Sequence, residues 1–265
     1  MALEVTETQA IMPPEQGRME AAPAARRGNY LINDAQCRIL YDGDDEWVGK
    51  SFELYGEYAY LEEEVFARTL GPGRFAVEVG AHIGAHTLLM ARRVLPGGTV
   101  LAFEPHRLDF QRLCANVALN QLENVYCYQE IIGAEDGPIP LPETIVRPQS
   151  TGSASREERK VVALDALELP ACDFLRVAGR NRHLSVLQSG RRTIAACRPV
   201  IYLVDVFSDD EPRLQALLTE WRYDTLPHVV PLFRQDNRRG NANNVFPGLG
   251  ENNWLCVPVT ADNAG

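Results

Sequence analysis

FAVEVGAHIGAHTLLMARRVLPGGTVLAFEP, Phe75 to Pro105, is the stretch that decides the fold. FAVEVG (75–80) is a short apolar run interrupted only by Glu78, IGAHTLLMARRVL (83–95) carries apolar residues at helical spacing, and Gly97 and Gly98 turn the chain into a second apolar run, TVLAFEP (99–105). Strand, helix and strand of these lengths form a βαβ unit, whose two strands lie parallel because the crossover is right-handed. The alternation continues through RLDFQRLCANVALN (107–120), a helix, and NVYCYQEIIG (124–133), a strand. The chain is therefore expected to be α/β, with a doubly wound, Rossmann-like sheet covered by helices on both faces.

Working outward, LEEEVFARTL (61–70) reads as a helix with Leu61, Val65, Phe66 and Leu70 on one face, closed by Gly71, Pro72 and Gly73. Residues 29–60 are expected to form an N-terminal β-hairpin flap, with YLI and CRILY separated from VGKSFELYGEY by the turn-rich DGDDE. Residues 1–28 read as a disordered tail rich in Pro, Ala and Glu. Ala134 to about Lys160 reads as a long loop. VVALDAL and CDFLRVA (172–178) then resume the sheet, RHLSVLQSGRRTIAAC is helical, PVIYLVDVF (199–207) is a buried strand and EPRLQALLTEW (211–221) a helix. RYDTLPHVVPLF and NNWLCVPV complete the sheet as a reversed hairpin, so that residues 61–260 form a single domain with the flap.

With 265 residues, 45% of them hydrophobic, the chain can bury a full core. A net charge of -10 argues against a nucleic-acid surface, because phosphate binding relies on excess Lys and Arg. No apolar run reaches 18 residues, so no membrane span is expected, and the N-terminus lacks the apolar block of a secretory signal. Cysteines at 37, 114, 127, 172, 197 and 256 are scattered without a CxxC pair, as buried thiols of a cytoplasmic protein are.

The chemistry concentrates at the first strand-to-helix junction, VEVGAHIGAHT (77–87). Ligands of doubly wound sheets bind at the carboxyl ends of the strands, where strand order reverses. A dinucleotide site would need GxGxxG, so that backbone amides approach a pyrophosphate; this chain has no such GxG. It has Glu78, Gly80 and Gly84, an E-x-G-x-x-x-G arrangement whose acid suits a cation and repels a pyrophosphate. Glu104 closes the second strand, where a carboxylate can accept both hydroxyls of a ribose. Together these residues read as a site for a positively charged nucleoside without phosphate, which S-adenosylmethionine is. Taken alone, the turn would serve equally to pack a helix on a strand. His82 and His86 stand four apart, but without a third ligand nearby no metal site is expected.

FELYGEY (52–58), the run from Val77 to Val125, PLFRQDN (231–237) and GNANNVF (240–246) together resemble the FkbM-type S-adenosylmethionine-dependent methyltransferases, over roughly residues 52–258. The resemblance implies a class I methyltransferase sheet with an antiparallel last strand. It also implies O-methylation of a sugar, glycan or natural-product hydroxyl, here in a bacterial pathway, with S-adenosylmethionine as cofactor and a small-molecule or glycan acceptor as partner. A homodimer is the assembly considered. Carried over by position, Glu78, Gly80, Ala81, His82, Ile83 and Gly84 line the methionine end of the cofactor. Glu104 and Pro105 hold the ribose with His106 at the rim, Gln129 and Glu130 read the adenine edge, and Tyr55 and Glu57 either close over it from the flap or form a structural edge of the flap. His82 stands where relatives usually have Asn. Asp236, Asn237, Asn241 and Asn244, with Phe246, suit an acceptor rim, since amides and an aromatic match sugar hydroxyls and faces, or else form an ordinary asparagine-rich turn.

The chain departs from the family after its fourth strand. Where relatives generally read L-L-K-I-D-V-E-G-x-E, this sequence has Leu175, Arg176, Val177, Ala178, Gly179, Arg180, Asn181, Arg182 and His183. The Asp becomes Ala178 and the two Glu become Arg180 and His183, with Asp205 a partial replacement farther on. Methyl transfer to a hydroxyl needs donor and acceptor in line and a group to take the proton, for which the missing acids are the natural candidates. A guanidinium ~6 Å from a sulfonium would cost roughly 3 kcal/mol at an effective dielectric of 20, about a hundredfold in affinity. Three readings stand open. Arg176, Arg180 and Arg182 bind an anionic acceptor, with His183 or His228 as base; or the chain is a non-catalytic cofactor-binding or scaffolding relative; or the arginines are simply solvated.

Overall fold

The computed structural model describes residues 28–33, 38–134, 139–140, 158–179, 181–206 and 210–259. An N-terminal hairpin of β1 (Asn29–Asn33) and β2 (Arg38–Asp42) leads to helices α1 (Val48–Tyr55) and α2 (Tyr60–Thr69). Then follow β3 (Phe75–Val79), α3 (Ala85–Val94), β4 (Thr99–Phe103), α4 (Arg107–Leu119) and β5 (Val125–Tyr128). Four two-residue strands come next: β6 (Ile131–Ile132), β7 (Ile139–Pro140), β8 (Glu158–Arg159) and β9 (Val161–Val162). The chain continues through β10 (Phe174–Val177), α5 (His183–Ser189), α6 (Arg191–Cys197), β11 (Val200–Leu203), α7 (Glu211–Glu220), β12 (Tyr223–Pro231) and β13 (Gly250–Pro258).

Seven strands form the central sheet in the order β12-β13-β11-β10-β3-β4-β5. β3 pairs in parallel with β4 and β10, β4 with β5 and β10 with β11, whereas β13 runs antiparallel between β11 and β12. This is the expected doubly wound sheet with an antiparallel last strand. From β3 the winding proceeds outward through β4 to β5, then restarts at β10 on its other side. Strand order therefore reverses between β3 and β10, which is where such a sheet opens a crevice.

Both faces are buried, as parallel sheets require. Val77, Leu101, Leu175, Val177, Ile201 and Leu203 pack on one face against Val186 and Leu187 of α5, Ile194 of α6 and Leu214 and Leu218 of α7. Ala76, Val100, Phe174 and Tyr202 meet Val65 and Phe66 of α2 and Met90 and Ala91 of α3 on the other. All four residues of β10 are buried, so Arg176, two positions on from Phe174, enters the core on the α2 face.

Two expectations are corrected. VGKSFELY is a helix rather than a strand of the flap: Val48, Phe52 and Tyr55 recur at helical spacing on its buried face. Asp45, in the DGDDE stretch, accepts the N–H groups of Trp47 and Val48 at its start, both at 3.0 Å, and Gly56 ends it in the left-handed region at φ 72°. VVALDAL does not join the central sheet; Val161 and Val162 pair with β6 in a separate ladder, and Leu164–Leu167 is a 3-10 turn. Residues 1–27 of the tail and 141–157 of the loop, on which two further expectations fell, lie outside the described residues.

The hairpin and α1 are held by long-range polar contacts. Arg112 of α4 reaches Asn29 and Asp42, and Asn116 bonds the backbone of Leu40 and Ile83. FELYGEY, PLFRQDN and GNANNVF come together at one corner. Glu57 grips Arg234 in a two-pronged pair, Tyr55 donates to the Asn243 carbonyl, and Val245 N–H donates to the Tyr55 hydroxyl, the latter two at 2.9 Å. Tyr55→Phe removes both tyrosine bonds while keeping the ring; urea unfolding should show a loss of about 1–3 kcal/mol.

Candidate active site

The crevice between β3 and β10 is walled by the turn from Gly80 to Gly84 on one side and by Ala178 and Gly179 on the other. Gly80 has φ 81°, and a Cβ there would stand 2.2 Å from the Ala178 carbonyl oxygen, so the two strand ends meet only because residue 80 has no side chain. His82 is also left-handed, at φ 52°. Asn and His are among the few side-chain residues that tolerate this region, which explains why His can stand where relatives have Asn. Gly80, His82, Ala178 and Gly179 are part-exposed at this edge, whereas Ala81 and Ile83 are buried in separate core clusters. The last two shape the turn from behind and present no side chain to a ligand.

Glu104 lies at the end of β4 where the sequence places it. One carboxylate oxygen accepts the His82 N–H at 2.7 Å and the other the His106 N–H at 2.8 Å. Burial raises its pKa, and the two N–H bonds oppose the rise. Each oxygen keeps a further lone pair, so a fixed carboxylate can receive two neighbouring hydroxyls. His106 is buried with its Nδ1 2.9 Å from Asp109, and the Pro105 carbonyl accepts from Arg159. Phe103 stacks on Tyr128 with ring centroids 5.0 Å apart. Gln129, with its amide turned to accept, also meets Arg159, and Glu130 lies 3.8 Å from Lys160.

Glu78 faces away from the crevice opening. It is 0% exposed; one oxygen lies 3.1 Å from Arg176 Nη1, and the other accepts from Thr87 Oγ1 at 2.5 Å. Arg176 is thus corrected from an acceptor rim to the centre of a buried ion cluster. Its Nε and Nη2 bond Glu62 of α2 at 2.7 and 3.0 Å. Asn253 of β13 donates to both Glu62 and Glu251, and Tyr58 donates to Glu251 at 2.7 Å. Sequence reasoning did not select Glu62, Glu251, Tyr58 or Asn253. The available signal was Glu62 standing three and four residues before Val65 and Phe66, on the apolar face of its helix.

The expected bases do not converge. His183 is buried at the ends of β10 and β11 with Nε2 3.0 Å from the Val204 carbonyl; burial pushes it down to about 4. It is a neutral strut closed to an acceptor. His228 sits on the edge strand β12, its Nδ1 2.7 Å from the Tyr202 hydroxyl, and burial lowers it too. Arg180 lies outside the described residues, and Arg182 reaches the Ile132 carbonyl. The acceptor rim is corrected as well: Asn237 and Asn241 bond backbone groups of their own loop and of Leu54, and Asn244 accepts the Phe246 N–H. Asp236 is exposed near Arg234. Tyr55 and Glu57 staple this loop to the α1–α2 corner, as described above.

The residues present fit S-adenosylmethionine: a doubly anchored carboxylate for a ribose, a left-handed glycine turn, and an α3 start without a side-chain cap, whose backbone N–H groups suit a carboxylate. The sequence pattern of the Methyltransferase FkbM domain matches residues 78–225, more than half of the chain. The chain belongs to the FkbM methyltransferase family. The cofactor of that family is S-adenosylmethionine. Over 67 residues the chain is 37% identical to Methyltransferase 1 of Beauveria bassiana (strain ARSEF 2860), covering 25% of this chain and 26% of that protein. Over 123 residues it is 28% identical to Methyltransferase sdnD of Sordaria araneosa, covering 46% and 41%. It thus spans less than half of either curated relative. Among solved structures, methyltransferase FkbM from Methylobacillus flagellatus KT aligns with TM-score 0.49 and 14% identity over 74% of this chain and 50% of that one. Precorrin-6y C5,15-methyltransferase from Geobacter metallireducens GS-15 aligns with TM-score 0.49 and 16% identity over 74% and 88%.

No helix among the described residues is long and apolar enough to cross a membrane, and among them no cluster of His, Cys, Asp and Glu is placed to hold a metal ion.

The cluster also sets a pH dependence. Burial raises Glu78 and Glu251 to about 7, against the pull of Arg176. A carboxyl raised on folding stabilises the protein below its unfolded value near 4.5, and that stability is lost as pH rises through 7, on the order of 3 kcal/mol for either group alone. His86, His183 and His228 are lowered by burial and act oppositely, costing stability as pH falls below about 6.5. Thermal unfolding should therefore show stability rising from pH 8.5 to 6.5 and falling below pH 6 or so. Glu251→Gln should weaken the rise on the alkaline side and steepen the loss below pH 6, because this carboxyl's proton uptake partly offsets that of the histidines there.

Proposed function

We propose that this FkbM-family protein transfers a methyl group from S-adenosylmethionine to a hydroxyl of a sugar, glycan or natural product. The observation that carries the reading is Glu104, anchored by the glycine turn at the switch point of a methyltransferase sheet. In this reading the bound cofactor supplies an electrophilic methyl group. Glu104 holds the ribose hydroxyls, the backbone of residues 80–84 shapes the methionine end, and Ala178 and Gly179 border the acceptor. Methyltransferase sdnD of Sordaria araneosa, matched over part of its length, and Methyltransferase 1 of Beauveria bassiana are fungal proteins, so the bacterial setting expected from sequence gains no support. The described cysteines are free thiols, which is in keeping with a reducing cytoplasm.

The proton of the acceptor needs a destination now that His183 and His228 are committed elsewhere. Asp205 follows the end of β11 by two residues as Gly179 follows the end of β10, and those adjacent strands end together at the paired Val177 and Leu203. Asp205 is part-exposed and held at φ 59°, its N–H bonded to Asn253 Oδ1 at 2.8 Å. Non-glycine residues in this strained region cluster at functional sites. Asp205 is the carboxylate assigned to take the hydroxyl proton, in place of the acid that Ala178 replaces. The buried histidines and Ala178 also favour a second reading, a cofactor-binding relative without turnover.

Calorimetry should give micromolar binding of S-adenosylmethionine or S-adenosylhomocysteine, weakened about tenfold or more by Glu104→Ala as a charge-assisted contact is lost; binding of neither ligand contradicts the cofactor reading. Labelled methyl transfer into glycan and metabolite extracts then separates the two readings. On an accepted substrate, Asp205→Asn should lower kcat roughly a hundredfold or more with cofactor affinity unchanged. Cofactor binding with no transfer into any extract would support the non-catalytic reading.

A further inference from the structure

Three carboxylates surround a single guanidinium directly behind the cofactor turn. Glu78 stands two residues before Gly80 and is bonded to Thr87 in the first turn of α3, so it touches both ends of the loop on which the cofactor is placed. Glu62 and Glu78 share Arg176, and Glu251 is reached by the same Asn253 amide as Glu62. Glu62 and Glu78 are 0% exposed and Glu251 6%. Fully ionised, the group would carry three negative charges against one positive in a medium that solvates charge poorly. Carboxylates crowded about one buried cation and one shared amide repel each other, which favours keeping one of them protonated.

The groups that face the cluster come from every neighbouring element. β10 contributes Arg176, α3 His86, the turn His82, the end of β4 Glu104 and β5 Cys127. The α1–α2 corner contributes Tyr58, and β11 and β12 contribute Tyr202 and, beyond it, His228. Arg176 is the permanent cation among them. Glu104, which holds the ribose in the reading above, is near enough to raise Glu78. The cluster and the ligand crevice are therefore in electrostatic contact.

Resting on the cofactor reading above, we propose that the Glu62–Glu78–Glu251 cluster holds a proton in the empty site and releases it to solvent when a cationic ligand occupies the Gly80–Gly84 turn. The site then senses the charge of its ligand at a distance. S-adenosylmethionine carries a sulfonium and S-adenosylhomocysteine an uncharged thioether, so the charged donor is bound with proton release and the neutral product with less. This gives the chain a way to favour donor over product without an acid touching the sulfur, and it supplies a role for a motif acid that points inward. No carbon or sulfur bond changes; the carboxyl O–H bond breaks and its proton is taken up by water or buffer.

Titration calorimetry at pH 7 in two buffers of different ionisation enthalpy reads the proton count directly. Wild-type protein should release a sizeable fraction of a proton with S-adenosylmethionine and less with S-adenosylhomocysteine, and donor affinity should rise about tenfold from pH 6 to pH 8. Glu251→Gln should cut the proton release for the donor; the ligand's own amino group contributes equally to wild type and variant, so their difference reports the protein. An infrared difference spectrum of the wild type provides a check that needs no variant. The protonated carboxyl band should fall on adding S-adenosylmethionine and persist with S-adenosylhomocysteine. Equal proton release for both ligands and for both proteins, or an unchanged carboxyl band with donor bound, overturns the proposal while leaving the cofactor reading intact. Binding of neither ligand overturns both.

Discussion

The burial of one guanidinium organises the structure. β10 is covered on both faces, and its alternation sends Arg176 into the interior beside Glu78 of β3. A buried charge without partners is far more costly than a buried pair, so the arginine requires carboxylates from outside its own strand. Glu78 supplies one. Glu62 supplies the other, and because it belongs to α2 the ion pair fixes that helix against the sheet in one position. The α1–α2 corner follows, with Tyr58 bonded to Glu251 and Glu57 to Arg234, and so does the C-terminal loop that Tyr55 staples.

The same interaction redistributes charge at the crevice. In a glycine turn of this kind the preceding acid would naturally face a cationic ligand, but here it is directed inward to Arg176 and Thr87. Glu104, at the end of β4, is instead fixed by the His82 and His106 amides. Asn253 carries the effect across to β11, since the side chain that bridges Glu62 and Glu251 also accepts the N–H of Asp205. The backbone of Asp205 and the buried cluster are thus joined through one side chain, and a change of charge in the cluster is felt there.

The sheet was legible because apolar runs of five to seven residues alternating with helical spacing admit few other arrangements. Glu104 and the glycines at 80 and 84 fall at the ends of β4, β3 and the start of α3, where type and spacing put them. The place of Arg176 was not legible. An arginine is exposed in most proteins, and its partners lie 114 and 98 residues away in sequence. The strand itself held a hint, since an arginine between apolar neighbours in a doubly covered strand needs a buried acid, and Glu78 occupies the same position in another such strand. The asparagines near 241 looked like a sugar-binding rim because their amides suit hydroxyls; the loop uses them on its own backbone, which composition cannot reveal. VGKSFELY was misread because β-prone residues hid a spacing of four and three between Val48, Phe52 and Tyr55.

In the proposed function Glu104 receives the cofactor while Arg176 keeps Glu78 turned inward. A crystal structure of the protein with S-adenosylhomocysteine tests both halves at once. The account predicts ribose hydroxyls within hydrogen-bond distance of both Glu104 oxygens, and Arg176 still lodged between Glu62 and Glu78. A ligand bound elsewhere, or Arg176 withdrawn with Glu78 swung out to meet the methionine end, would contradict it.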